Sequence, residues 1–373
     1  MKTIGFCFIF LQLFPNLAFS QDEVMIQTVN RDTVIAVASP EYADVPAYKH
    51  LFMGKNYRTT WDTPVRFPVF YLSATSFQID MLGGSMQTYS LYLKDSTGAI
   101  WVLRSVNKDV SKAFPGMLQW LPVVPFKQDL ISGNYPYAAL VVADMMKAAH
   151  IPAPQPVYYY IADDEALHEY RDLFAHTICM LEKRDPTPDG MAAIDTDSLL
   201  KIIKDSTKAQ VLKKQLLKVR ILDMLIGDPD RHAHQFRWGC LDSGKVKYYY
   251  PIPRDRDFAF FSSGGLFPFL LQLLIGRPQV KFTGSTKNLE KFNHKCLEFD
   301  KEFLAGLRPT DWEQTAEAIL TEMPDSTIDA AVKKLPPEIY RIDGPAIATK
   351  LKSRKQGFVK NVMEYYYALF PSQ

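Results

Sequence analysis

The chain has 373 residues, of which 47% are hydrophobic and 23% are charged, and its formal net charge is +2. This composition is globular and excludes disordered, fibrous and membrane-embedded chains. A nearly neutral chain also lacks the surplus of basic residues with which proteins bind nucleic acids, so we exclude a nucleic-acid partner.

Residues 1–20 have the pattern of a secretory signal peptide. Lys2 is followed by an apolar run over Ile4–Leu13 and by small residues that end at Ser20, the order typical of such signals. We expect cleavage near Ser20 and a secreted, periplasmic or cell-envelope location. Cys7 leaves with this segment, and the three cysteines that remain permit at most one disulfide.

Residues 21–76 contain the β-like runs Thr33–Ala38 and Val65–Leu72, and we interpret them as an N-terminal leader packed on a small lobe. From residue 77 the alternation of apolar and polar residues predicts an antiparallel meander whose first hairpin has Gly83 and Gly84 at its tip. Its strands are Phe77–Leu82, Tyr89–Leu93 and Ala99–Val106.

A helix and two strands complete this first lobe, which we place at residues 77–185. Apolar residues at helical spacing predict the helix over Pro136–His150, and Val157–Ile161 and Thr177–Leu181 are predicted strands. The second strand continues into the polar turn Glu182–Pro186, which has the character of a hinge. The sequence therefore predicts an antiparallel five-stranded lobe with one helix.

The second lobe, residues 186–373, is predicted to be mainly helical. The predicted helices include Ser198–Asp205, Lys208–Ile226 and a final Gly344–Leu369, and one hairpin is expected over Gln235–Leu241 and Val246–Tyr250. Gly227 should end the helix before it. The fold class is thus α+β with two lobes, and no transmembrane segment is expected after signal removal.

Two other segments receive structural interpretations. The apolar stretch Leu266–Ile275 contains Pro268 and Gln272 and is about half as long as the ~20 residues that span a bilayer. We therefore predict a buried core helix there. Lys287–Lys295 has the pattern of a solvated helix face.

Three clusters carry residues suited to chemistry: the stretch Asp223–Gln235, the segment Pro251–Phe258, and the Gly83-Gly84 turn together with Arg104. The first two lie on either side of one predicted hairpin, so their carboxylates can meet. Neighbouring carboxylates repel one another unless a hard divalent cation lies between them. His232 and His234 lack a third histidine nearby and make a weak zinc site.

These motifs bring out a resemblance. Ile226–His232, read as Ile-Gly-Asp-Pro-Asp-Arg-His and followed by a hairpin and an aspartate, resembles the catalytic loop of atypical protein kinases. The relevant branches are the HipA toxin kinases, the CotH spore-coat kinases and the Golgi casein kinase. Pro253–Phe260 resembles the metal-binding Asp-x-Asp segment of the CotH group, and Leu103–Asp109 its nucleotide-contacting strand. A narrower resemblance is to uncharacterised envelope proteins of the Bacteroidetes.

The resemblance, which covers residues 77–262, implies a protein-kinase-like fold and a set of roles. Asp230 matches the catalytic base that accepts the proton of an attacking hydroxyl. Gln235 and Asp255 match the residues that bind Mg²⁺ or Mn²⁺, and Asp257 is a second candidate. The residues implied in nucleotide binding are Gly83, Gly84, Arg104 and Lys108 at the phosphates, and Glu182 and Arg184 beside the hinge.

Two positions depart from the kinase pattern. Gln235 stands where these kinases have asparagine, and Arg104 stands where most have lysine. Arginine binds phosphate bidentately, whereas lysine acts as a point charge. Within residues 136–150, Asp144 is the one acid placed to pair with Arg104.

The leading hypothesis is a secreted or periplasmic kinase-like protein that binds ATP, or another nucleoside triphosphate, with Mg²⁺ or Mn²⁺. It would transfer a phosphoryl group to a hydroxyl on a small molecule, or on a protein or glycan of the cell envelope. Three alternatives remain. A catalytically inactive pseudokinase would serve as an interaction module, and Gln235 favours it. A nucleotidyl transferase could use the same metal and base. A metal-dependent hydrolase could use the aspartates and histidines between Asp228 and His234.

Overall fold

The computed structural model describes residues 32–43, 45–84, 88–109, 128–188, 190–274 and 281–371. The predicted signal peptide lies outside these residues. In the described part, one lobe is built on a seven-stranded sheet and the other on helices around a four-stranded sheet. The predicted α+β class with two lobes is confirmed.

The larger sheet contains the five predicted strands and two more. Its strands are β1 (Thr33–Ala36), β2 (Val65–Phe70), β3 (Gln78–Gly83), β4 (Ser90–Lys94), β5 (Ile100–Ser105), β6 (Val157–Ile161) and β7 (Ile178–Lys183), in the order β1-β2-β6-β7-β5-β4-β3. The predicted five-stranded antiparallel lobe therefore needs correction. Strand β2 pairs in parallel with β6 and antiparallel with β1, so the sheet is mixed and seven-stranded.

Both faces of this sheet are covered, as the alternation along β7 illustrates. Ile178 and Met180 belong to the main core with helix α3 (Ala138–Ala148), which joins β5 to β6. Cys179 and Leu181 point the other way, into a second core with Phe174 of helix α4 (Arg171–Phe174). Because successive strand residues alternate between faces, this run of apolar residues contributes side chains to both cores.

Short helices α1 (Ala47–Met53) and α2 (Arg58–Asp62) precede β2. The second lobe contains α5 (Thr196–Asp205), α6 (Lys213–Ile226), α7 (Leu266–Leu274), α8 (Leu289–Phe292), α9 (Leu297–Leu304), α10 (Pro309–Glu322), α11 (Asp325–Val332), α12 (Pro337–Arg354) and α13 (Phe358–Leu369). Its sheet has the order β8-β10-β11-β9, with β8 (Ile194–Asp195), β9 (Ala209–Val211), β10 (Phe236–Asp242) and β11 (Lys247–Pro253).

Two of the predicted helices have the wrong bounds. The start of the predicted Lys208–Ile226 helix forms β9 instead, and α6 begins at Lys213. The predicted helix Gly344–Leu369 is two helices, because Gly357 has a φ of 66° and turns the chain between α12 and α13.

The expected buried core helix Leu266–Ile275 corresponds to α7, four of whose apolar side chains are exposed: Leu266, Phe269, Leu270 and Leu273. Its predicted last residue, Ile275, lies outside the described residues. Within the described ranges, no helix has both the length and the apolar character that crossing a bilayer requires.

Gly227 ends α6 as predicted and directs the chain into the loop that carries Asp230. Its backbone is left-handed, with φ 71° and ψ 47°, a conformation that costs other residues about 1–2 kcal/mol. A Cβ atom at this position would also lie 2.7 Å from the Phe282 ring. Both constraints require glycine.

We expect Gly227→Ala to lower the free energy of unfolding by about 2–4 kcal/mol, the sum of backbone strain and overpacking. Gly244→Ala is the matched control, because Gly244 has a similar φ of 76° but no atom within 4 Å of the position that a Cβ would take. The control should lose only about 1–2 kcal/mol. Urea unfolding of both variants measures the difference, and equal losses would contradict the role assigned to Phe282.

Candidate functional site

The site rests on a buried cluster of charges centred on Asp223 of α6. Asp223 pairs with Arg256 and accepts a hydrogen bond from Arg220 Nη1 at 2.7 Å, and Arg231 Nε lies 3.4 Å from its Oδ2. Asp223 and these arginines are buried. Burial by itself raises the pKa of Asp223, but the charges of Arg256, Arg231 and Arg220 outweigh it and hold the pKa below its ordinary value.

The cluster continues to the C-terminal helices. Arg220 binds Asp300 of α9 through two hydrogen bonds, Nε to Oδ1 at 2.8 Å and Nη2 to Oδ2 at 3.0 Å. The Tyr365 hydroxyl of α13 donates to Asp300 Oδ2 at 2.7 Å. Asp228 lies 3.2 Å from Arg256 Nη1, and burial raises the pKa of Asp228. Ion pairs and hydrogen bonds thus fix five segments to one another: α6, the loop after α6, the segment after β11, α9 and α13.

Asp230 lies at the turn of the loop that this cluster anchors. Its backbone N–H donates to Asp228 Oδ1 at 3.2 Å, and Gln235 Nε2 lies 3.4 Å from its Oδ2. Its Oδ1 forms an ion pair with the Nζ of Lys295, which lies between α8 and α9. The Asp230 carboxylate is therefore held by one amide and one ammonium group.

Lys295 is the residue that the sequence interpretation missed. The sequence pattern predicts a solvated helix face there. Lys295 is exposed as expected, but it lies between two helices, and its ion pair with Asp230 is not part of that prediction. The two residues are 65 positions apart in sequence. No spacing rule links them, so the pairing depends on how α8 and α9 pack beside the loop.

Gln235 connects the loop to the buried cluster. Its Oε1 accepts a hydrogen bond from Arg231 Nη1 at 2.5 Å, while its Nε2 faces Asp230. Arg231 Nη1 also donates to the Arg254 carbonyl at 2.6 Å, and the Arg254 N–H donates to the Gln235 carbonyl at 2.9 Å. The two predicted clusters, 223–235 and 251–258, are therefore in direct contact.

Asp255 joins this assembly to the larger sheet. Its carboxylate forms an ion pair with Nη1 of Arg104, on β5, and Arg104 Nη2 lies 3.5 Å from Glu182 Oε1, on β7. The backbone of Asp255 is left-handed, with φ 56°, a conformation that aspartate adopts more readily than most residues. This turn sends Asp255 to Arg104 while its neighbour Arg256 enters the buried cluster.

Asp257 is paired separately. Lys108 Nζ lies 2.6 Å from its Oδ2 and 4.3 Å from the centre of the Phe258 ring. Burial by itself raises the pKa of Asp257, but Lys108 and Arg104 outweigh it and the pKa lies below its ordinary value. Lys108 and Asp257 thus form a pair of their own beside the Arg104–Asp255 pair.

The glycine turn lies along the same row of the sheet as Arg104. Gly83 pairs with Ser90, and Ser90 pairs with Arg104. Gly84 has a φ of 101°, and a Cβ there would lie 2.0 Å from the Thr88 carbonyl oxygen, so only glycine fits. Residues 85–87 of the turn lie outside the described residues.

The predicted hinge connects the lobes. The Arg184 guanidinium lies over the Tyr92 ring at 5.3 Å, and the backbone N–H of Arg184 donates to the Ile100 carbonyl at 2.8 Å. Asp185 accepts hydrogen bonds from Arg237 of β10 at 3.0 and 3.3 Å. Arg184 is therefore held on the sheet, while the next residue is held by the helical lobe.

A cleft lies behind the Arg104–Asp255 pair. Its charged wall is formed by Arg104, Glu182 and the segment 253–256, and its apolar wall includes Ala139, Ala143 and Met146 of α3. Asp144 of α3 lies 3.7 Å from Lys334 instead. The expected pairing of Asp144 with Arg104 is therefore wrong, and the acids that neutralise Arg104 come from β7 and from the segment after β11.

A divalent cation would have a small protein donor set here. Among the described residues, no group of three or more histidine, cysteine or acidic side chains is placed to hold a metal. Asp255 supplies one carboxylate, and Gln235 one amide oxygen that is already hydrogen-bonded. This set fits Mg²⁺ bound chiefly through water and ligand phosphates, since Mg²⁺ commonly takes one or two carboxylates together with phosphate oxygens.

We expect Arg220→Met to lower the free energy of unfolding by about 3–5 kcal/mol, because it removes the guanidinium group that binds the buried Asp300 and one of the three that surround the buried Asp223. Lys301→Met is the control: it removes an exposed pair with Glu298 and should cost less than about 1 kcal/mol. Urea unfolding monitored by circular dichroism makes the comparison. Equal midpoints for the two variants would show that the cluster does not stabilise the lobe.

No protein-family model matches the chain, and the search of curated proteins finds no match. Among solved structures, the chain is similar to the Helicobacter pylori proinflammatory kinase CtkA, with a TM-score of 0.41 and 13% identity over 81% of this chain and 98% of that one. It is also similar to the Rio2 kinase of Chaetomium thermophilum in an ADP/Mg²⁺-phosphoaspartate complex, with a TM-score of 0.36 and 10% identity over 75% and 72% of the two chains. At these scores the likeness is a distant one of fold and says nothing about chemistry.

Proposed function

We propose that the chain binds a metal–nucleoside triphosphate between its lobes and transfers a phosphoryl group to a hydroxyl. The observation that carries this proposal is the ion pair between Arg104 of the sheet lobe and Asp255 of the helical lobe. It places a permanent cation opposite a carboxylate, with Asp230 connected through Arg231 and Gln235. Phosphoryl transfer needs these groups in one place, since its catalysis is mostly positioning and charge stabilisation.

Ligand binding would exchange the partners of this pair. A triphosphate offers the planar guanidinium of Arg104 a bidentate acceptor in place of Asp255. Asp255, once released, has the negative charge and oxygen donors that a hard cation prefers. Glu182 stays beside Arg104 throughout and limits its movement. Asp255 would hold such a cation, whose positive charge would offset the negative charge that develops on the transferred group.

Asp230 and Lys295 would act on the acceptor side. The Asp230 carboxylate can accept the proton of an attacking hydroxyl, and its two contacts fix its orientation. The Lys295 ammonium lies beside it and can offset negative charge as the phosphoryl group is transferred. Lys108 would remain with Asp257, since that pair is already complete, and would hold the segment after β11 in place.

The remaining parts of the proposal concern the nucleotide and the location. The 83–84 turn offers backbone N–H groups for the phosphates, and Glu182 and Arg184 flank the connection where an adenine would lie. The signal-like N-terminus supports action in the periplasm or outside the cell. The acceptor would then be a hydroxyl of an envelope protein, a glycan or a small molecule.

An inactive pseudokinase is the second candidate, and one observation favours it. Each predicted metal ligand already has a protein partner: Asp255 has Arg104, Asp257 has Lys108, and Gln235 has Arg231. A cleft whose charges are neutralised internally is stable without a nucleotide. In that case the fold would serve as an interaction module.

We expect Asp255→Asn to weaken binding of Mn²⁺–nucleotide at least about tenfold, since a charged ligand contributes more than a neutral amide. Affinity for the metal-free nucleotide should stay the same or rise, because Arg104 loses its competitor. Calorimetry with and without Mn²⁺ measures both affinities, and Asp242→Asn, at the exposed end of β10, is the control. Unchanged Mn²⁺-dependent affinity would reject Asp255 as a ligand and make Asp257 the next residue to test.

Asp230→Ala should reduce phosphoryl transfer by about 10²–10⁴-fold, the usual contribution of a general base, and leave nucleotide affinity within a few-fold. Lys295→Ala should reduce transfer as well, whereas Lys291→Ala, on α8, should not. Incorporation of labelled phosphate into the chain or into envelope extracts is the assay. If wild type and variants are equally inactive yet bind Mn²⁺–nucleotide, the pseudokinase is the correct function. If none of them binds a nucleotide, the phosphotransfer proposal fails, whereas an interaction module that is stable without a nucleotide remains.

A further inference from the structure

Two short helices from distant parts of the chain together form one exposed apolar surface. Helix α1 exposes Tyr48, Leu51 and Phe52, and helix α7 exposes Leu266, Phe269, Leu270 and Leu273. We call these seven residues the apolar face. They are half of the large exposed hydrophobic side chains in the described residues, and Leu51 and Leu273 are each 70% exposed. Contiguous exposed apolar surface of this kind marks interaction sites.

Glycines hold the two helices together and make the face continuous. Gly54 ends α1, and Gly265 precedes α7. A Cβ on Gly265 would lie 2.4 Å from the Phe52 carbonyl oxygen, and one on Gly54 would lie 2.6 Å from the Gly264 carbonyl carbon. Asn56 Oδ1 accepts the Gly264 N–H at 2.9 Å. The backbones are in direct contact, so the face is preformed.

The two segments that carry the apolar face contain basic residues but no acidic ones. Residues 45–61 and 258–289 contain no aspartate or glutamate, in a chain where these make up 41 of 373 residues. Lys55 and Lys281 are exposed, and Lys281 Nζ lies 3.6 Å from where a Gly264 Cβ would be, at the junction of the helices. The nearby Asp129 is buried and paired with Arg58 and Lys49. Its negative charge is thus neutralised beneath the face.

We propose that the apolar face docks on an anionic lipid surface. Apolar side chains bordered by lysines, in segments that contain no acid to repel the headgroups, are the chemistry of helices that lie in a membrane interface. Helix α7 is too short to span a bilayer but can insert one face among the acyl chains. A symmetric contact between two copies fits less well, because it would bring the lysines of both copies together without acidic partners.

This inference does not depend on the proposed function. It assigns a use to α7, which follows directly after the segment that contains Asp255 and Asp257, and to α1, for which the phosphotransfer proposal has no role. Docking through both helices would hold the helical lobe at the lipid surface.

The test is co-sedimentation of the full chain with vesicles of phosphatidylcholine alone and of phosphatidylcholine mixed with phosphatidylglycerol. Wild type should bind the mixed vesicles. Leu51→Glu/Leu270→Glu should lose at least about tenfold in partitioning, because two apolar contacts are replaced by charges that the headgroups repel. Lys55→Gln and Lys281→Gln should each lose about fivefold on mixed vesicles. The control is Met191→Glu/Tyr367→Glu, which alters two exposed hydrophobic residues outside the face.

All variants keep the same N-terminus, and circular dichroism checks that each is folded. Absence of vesicle binding by wild type overturns the proposal. It is also overturned if Leu51→Glu/Leu270→Glu binds as well as wild type, since another part of the chain then carries binding. Equal binding to both kinds of vesicle also overturns it, because binding would then not depend on anionic lipid. If light scattering instead shows a wild-type dimer that the double variant dissociates, without vesicle binding, the face is a contact between copies. Nucleotide binding, measured separately, is unaffected by any of these outcomes.

Discussion

The architecture of the candidate site depends on one buried carboxylate, Asp223. A charge in the protein interior is strongly unfavourable unless it is paired and hydrogen-bonded. Asp223 meets that requirement through three guanidinium groups, from α6, from the loop after α6 and from the segment after β11. Removal of any one partner leaves the other charges buried without full compensation. The positions of the three segments therefore depend on one another. Asp300 and Tyr365 extend the same constraint to the C-terminal helices.

This constraint explains why the two motifs alternate between structural and site-facing residues. In the loop, Arg231 enters the buried cluster while Asp230, its neighbour, contacts Lys295 and Gln235. After β11, Arg256 enters the cluster while Asp255 contacts Arg104. The buried cluster therefore holds the charged residues of the cleft in place. They are also balanced from within the protein, so a ligand must exchange partners with them rather than fill an uncompensated site.

The site could be predicted from the sequence to the extent that its groups are local. Gly227, Asp230 and Gln235 lie in one short segment, and a hairpin with a tight turn brings Asp255 back beside it, so their meeting follows from chain geometry. Arg104 could be identified because it lies on a predicted strand after a glycine turn. Its acidic partners, Glu182 and Asp255, could not be predicted, because the sequence favours Asp144 instead. Which face of α3 lies toward the sheet depends on packing. The small residues Ala139 and Ala143 face the cleft instead.

The sequence by itself determined the two-lobed class, the five central strands, the helix between them and the end of α6, because period-two and helical patterns and glycine stops act within a few residues. Only the tertiary structure decided that β1 and β2 join the same sheet, that Lys295 reaches Asp230, and that α7 is exposed. Each of these depends on contacts between segments far apart in sequence. An apolar sequence such as that of α7 indicates that burial is favourable, but it does not specify which part of the protein covers it. Tertiary packing decides this, and here it leaves four apolar side chains of α7 exposed.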